Sequence, residues 1–155
     1  MMGYGRIGYH VATPPAGVVV VRTGDTTHCR EEQAGATIGE VEIVPFKAAL
    51  VIDRDGILEE KARHAVVDEV AAGAHVLEPA PVELGGLSGW RIDAEVRRGT
   101  SPLRYVHVFA LAPDDLGIDG GVLVTVRSAS PEWPAADQIV HSLKIFAAGR
   151  KIANR

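Results

Sequence analysis

The chain has 155 residues, 46% hydrophobic and 23% charged, with a net charge of −4. A chain of this length buries about 70% of its unfolded surface on folding, so it needs neither disulfide nor metal to fold, and its composition excludes disorder of the whole chain. The acidic balance and the lack of any dense basic run argue against nucleic-acid binding and leave Arg97-Arg98 and Arg150-Lys151 as solvated pairs.

Residues 1–11 set Tyr4, Ile7, Tyr9 and Val11 among glycines, which predicts a short twisted strand. The apolar run before Gly24 extends only from Gly17 to Val21 and follows Pro14-Pro15, so it reads neither as a signal peptide nor as a membrane span. A cytoplasmic location without direct membrane insertion is expected, and the lone Cys29 fits a reducing compartment. Val18 to Arg22 is β-branched and bounded by glycines, a strand. The polar segment from Thr23 to Ala36 reads as the longest loop. Ile38 to Val44 alternates Glu40 and Glu42 against Val41 and Ile43, as a strand with one wet face does. Ala48 to Ile52 reads as a further apolar strand.

Asp53 or Asp55 can cap a helix that carries Leu58, Ala62, Ala65, Val66 and Val70 on one side and ends at Gly73. Beyond the Gly85-Gly86 turn, Trp90, Ile92, Ala94 and Val96 alternate with Arg91, Asp93, Glu95 and Arg97. In the next strand Tyr105, His107 and Phe109 share one side and Val106, Val108 and Ala110 the other. That pattern predicts a central strand covered on both faces. Val122 to Arg127 follows the Asp119-Gly120 turn, and Ser130-Pro131 predicts the start of a last helix with Ile139, Val140 and Leu143 as its apolar stripe. The order predicts one α+β domain over 1–155, an antiparallel sheet backed by two helices, with 146–155 as a possible flexible tail.

Each chemical motif has a simpler structural explanation. Gly3-Tyr4-Gly5-Arg6-Ile7-Gly8 spells G-x-G-x-x-G, yet no strand can precede it and no helix follows, so no dinucleotide cofactor is expected. His28-Cys29 with Glu31 and Glu32 offers metal-ligand chemistry without a second spaced pair, and a solvated loop explains it. Asp53-Arg54-Asp55-Gly56 lacks the later ligands of a calcium loop, and Asp114-Asp115 with Asp119 reads as turn residues. No metal is expected. His107 and His141 are placed where they can meet, but no nucleophile or G-x-S-x-G elbow accompanies them, so no catalytic residue is assigned. Trp90 and Trp133 read as core and lid residues.

Thr13-Pro14-Pro15-Ala16-Gly17, V-E-L-G-G-L-S-G-W over Val82–Trp90, and Ile139 to Phe146 as a closing helix resemble the superfamily of photosystem PsbP proteins, Ran-binding Mog proteins, mycobacterial LpqN lipoproteins and bacterial DcrB-like proteins. Within that group the chain is most similar to the Eag chaperones of type VI secretion effectors. The family carries an aromatic after its early Pro-Gly turn, where this chain has Val18, and Thr23 to Ala36 has no counterpart there. The resemblance implies a curved sheet, no catalytic residues, and a homodimer whose concave face shields the apolar N-terminal helices of an effector. Arg91, Arg97 and Arg104 would form an outward arginine face, with Tyr105 and His107 beside it for partner contact. The expected function is therefore a non-enzymatic protein-binding module, a chaperone or adaptor. A GTPase-binding regulator of the Mog type, or a small-molecule binder using His107 and Tyr105 between sheet and helices, are the alternatives.

Overall fold

A computed structural model describes residues 6–12, 14–69, 74–97, 99–100, 102–114 and 118–148. Gly3 and Gly5 of the glycine motif, the helix end at Val70 and Gly73, Arg98, Asp115 and the pair Arg150-Lys151 lie outside these residues.

Chain order is β1 (Arg6–His10), β2 (Val18–Thr23), β3 (Thr26–Gln33), β4 (Ala36–Lys47), α1 (Arg54–Glu69), β5 (His75–Val76), β6 (Ala80–Leu84), β7 (Leu87–Val96), β8 (Arg104–Pro113), β9 (Gly120–Ser128), α2 (Pro134–His141) and β10 (Lys144–Ala148). An eight-stranded antiparallel sheet, curved but not closed, runs β2-β3-β4-β9-β8-β7-β5, with β6 also on β7. β1 and β10 form a separate two-stranded ribbon.

The alternation read in β7 and β8 decides what covers each face. Ile92, Ala94, Val96, Val106, Val108 and Ala110 point to one side, where they bury Leu58, Ala62 and Val66 of α1. Small side chains at Ala62, Ala94 and Ala110 let helix and sheet approach closely, and burying Leu58 alone contributes roughly 2 kcal/mol. Phe109, Leu111, Val122, Val124, Val126, Val41, Ile43 and Cys29 point to the other side, under Trp133, Ile139 and Val140 at α2. The two helices thus back opposite faces of the sheet.

Local chemistry sets the helix ends. Asp53 caps α1 by accepting the Gly56 N–H at its Oδ1, 3.1 Å. Arg54 ties that end to β8 by donating to the carbonyls of Ala112 (2.8 Å) and Pro113 (3.2 Å). α2 begins at Pro134, where the missing N–H costs nothing, and not at Ser130-Pro131. The buried Trp133 fixes that start: its indole lies flat on Gly39, where a Cβ would come within 2.6 Å of the ring.

Three further expectations are corrected. Thr23 to Ala36 is not a loop, because two-residue turns at Gly24-Asp25 and Ala34-Gly35 bracket β3, which buries Thr27 and Cys29. Ala48 to Ile52 is a turn leading to α1, since β4 ends at Lys47 and leaves Val51 and Ile52 exposed. The closing helix stops at His141, and Lys144–Ala148 becomes a strand because β1 offers it a ladder. Tyr9 fastens that ribbon to the sheet by donating to the Asp25 carbonyl (2.7 Å) and sharing a hydrogen bond with Thr27 Oγ1 (2.6 Å).

Candidate functional site

Of the residues expected to touch a partner, three come together on the α2 face and two do not. Arg91 on β7 and His107 on β8 both bond Asp93, whose Oδ1 accepts from Arg91 Nε (2.8 Å) and lies 2.6 Å from His107 Nδ1. Tyr105 follows along β8, opposite Glu95 and Ser128. Arg104 points to the α1 face instead, beside Val106 and Arg127, and Arg97 sits exposed just past the end of β7. A single arginine-bearing face is therefore corrected: strand alternation separates Arg104 from Arg91, an even from an odd position.

The polar cluster is held from within. Burial pushes the Asp93 carboxyl up, but the hydrogen bonds from His107 and Arg91, with their charges, outweigh it and hold the group below the usual range. The Arg91 guanidinium also lies 5.0 Å from the Phe109 ring centre, a cation–π contact. A shallow groove of about 240 Å³ opens between this cluster and α2, lined by His107, Phe109, Ser128 and Trp133 among others. His141 turns away from it, donating from Nδ1 to the Asp137 carbonyl of its own helix.

The remaining candidates behave as structural groups. Cys29 and His28 point to opposite sides of β3; burial pushes the thiol up, and His28 faces Glu42 at 3.8 Å. Among the described residues no three His, Cys, Asp or Glu side chains converge as a metal site. Asp114 accepts from Ser88 Oγ at 3.1 Å.

The feature that sequence reading missed is the edge of the sheet. Among the described residues β2 pairs only with β3, and its Val19, Val20 and Val21 are 63%, 43% and 53% exposed. Proteins ordinarily blunt such an edge with lysine, proline, a bulge or brevity, and the far edge of this sheet does so. There β5 has two residues, and β6 has five with Pro81 among them. Among the described residues β2 has no such device across Val19, Val20 and Val21.

The β2–β3 hairpin also fixes which backbone groups face outward. Gly24, at φ 62, takes the first central position of the two-residue turn, as a type II′ turn requires, so the flanking Thr23 and Thr26 exchange backbone hydrogen bonds. Alternation then turns Val21 and Val19 toward β3, and Val18, Val20 and Arg22 away from it. The Val18 N–H accordingly donates to the Pro15 carbonyl, 3.2 Å, and not to β3.

No protein-family model matches the chain, and no curated protein matches it. Among solved structures it is similar to a protein from Bacteroides thetaiotaomicron at 11% identity and a TM-score of 0.54. That likeness covers 95% of this chain and 50% of the other, so the chain spans half the length of that protein. At this identity the likeness shows a shared fold and no more. Among the described residues no helix is long and apolar enough to cross a membrane.

Proposed function

We propose that this chain is a non-enzymatic protein-binding module that takes up an extended apolar segment of a protein along β2, as a chaperone or adaptor. The bare valine edge carries this reading. A strand laid beside β2 would satisfy the outward groups of Val20 and Arg22 and cover valines on both faces of the sheet, the physics of strand addition. Covering each exposed valine contributes on the order of 1 kcal/mol, so a few residues of ladder give useful affinity without a deep pocket. The resemblance to the Eag chaperones supports the shielding role, with one change: an edge strand accepts an extended segment, where the resemblance implies helices.

Titration of labelled ten-residue Val/Ile-rich peptides, read by fluorescence anisotropy, tests this. Saturable binding is expected, weakened at least tenfold by Val20→Pro with the melting temperature nearly unchanged. The N–H that this proline removes faces away from β3, so the hairpin itself keeps its bonds. Undiminished binding by Val20→Pro, or no saturable binding of any extended peptide, refutes the reading.

A further inference from the structure

We infer that the strand lying along β2 is β2 of a second copy of this chain, paired antiparallel about a two-fold axis at Val20. This inference rests on the reading of β2 as a strand-addition edge and names its occupant.

Self-complementarity is the argument. Only registers that place even positions opposite even positions let the outward groups of Val18, Val20 and Arg22 meet their counterparts. With Val20 on the axis, Val20 opposes the second copy's Val20, Val19 opposes its Val21, and Val18 opposes its Arg22. Each Val20 N–H then donates to the opposite Val20 carbonyl, and each Arg22 N–H to the opposite Val18 carbonyl. The Val18 N–H, already held by Pro15, is not needed. On one face the four side chains of Val19 and Val21 from the two copies come together. On the other, each Arg22 faces a valine, so no like charges are opposed.

The surroundings fit the same arrangement. α1 covers β7, β8 and β9 and leaves the outer strands of its face open, where β3 presents His28 and Arg30 beside the valines. On that face Val19 and Val21 have His28, Arg30 and Glu32 of β3 as neighbours; they gain apolar ones when the sheet continues into a second copy. Pairing through β2 uses up that edge, and the short, proline-bearing far edge offers no second ladder, so the assembly closes as a dimer and does not grow into a fibre. A ladder of this length is a small interface, so the dimer should dissociate on dilution.

Sedimentation equilibrium of the wild type and three double variants tests the pairing. The wild type should double in mass with concentration, and amide exchange should show Val20 and Arg22 protected in the concentrated sample and released on dilution. Val19→Lys with Val21→Lys places lysines opposite lysines and should give a monomer, as should Val19→Glu with Val21→Glu. Mixing the two should restore a heterodimer, and Val19→Lys with Val21→Glu should dimerise alone. All three change exposed side chains only, and circular dichroism checks that they fold. A monomeric wild type, a lysine pair that still dimerises, or a Lys/Glu variant that stays monomeric overturns the inference. Peptide titration of the monomer then separates the two claims: saturable binding leaves the edge as a site for other proteins, and its absence removes both.

Discussion

His107 Nδ1 lies 2.6 Å from Asp93 Oδ1 between directly opposed positions of β8 and β7. Arg91 completes the arrangement at 2.8 Å from the same oxygen, so one carboxylate orients two of the side chains singled out for partner contact.

That arrangement makes Asp93 a source of acid sensitivity. Its pKa is depressed in the folded state, so its contribution is complete above the ordinary aspartate value of about 4 and is lost as pH falls through the lower folded value. Urea midpoints measured from pH 7 down to about pH 2 should fall less steeply for Asp93→Asn than for wild type, and the variant should be less stable at pH 7 by about 1–2 kcal/mol. Parallel acid profiles would remove Asp93 as the source.

Arg127 of β9 joins three elements by bonding Glu69 at the end of α1 (2.6 Å) and Glu40 and Glu42 of β4 (3.3 and 3.2 Å). The Glu69 bond and the other carboxylates raise its pKa against the cost of burial, so it stays charged. Arg127→Ala leaves these glutamates without that charge and should cost about 2 kcal/mol, a value reduced for the solvent access of the cluster. About 1 M NaCl should recover part of that loss by screening, which urea unfolding at low and high salt will measure.

Ala34 adopts φ 53 at the β3–β4 turn, ahead of Gly35 at φ 80. Two positive φ values mark a type I′ turn, which favours Asn-Gly, and alanine in that conformation stores strain. Ala34→Asn should stabilise the protein by roughly 0.5–1 kcal/mol and raise the calorimetric melting temperature by about 1–4 °C. Gly35→Ala should lower it.

The long strands β7 to β9 were legible because burial on one or both sides writes itself into period two, as at Ile92, Ala94 and Val96. β3 was not, because only Thr27 and Cys29 point to the core while His28, Arg30 and Glu32 face an uncovered stretch of sheet, so its composition is that of a loop. The turn residues Gly24-Asp25 and Ala34-Gly35 carried the missing signal. Lys144–Ala148 owes its strand to β1, more than a hundred residues earlier, and no local pattern encodes such a pairing. The same holds for the candidate sites. Val18 to Arg22 reads correctly as a strand, but its position at an edge depends on the order of all the others. Arg91 and Arg104 look alike in sequence and are separated by the face on which each lands.

The β1–β10 ribbon sets Arg6 opposite Ala148. A chain arriving at this fold and a chain leaving it do so side by side, at the same corner of the molecule. The fold can therefore be carried as an insert within another polypeptide, or circularly permuted by joining these ends and cutting at the Gly85-Gly86 turn, with its strand pairings kept.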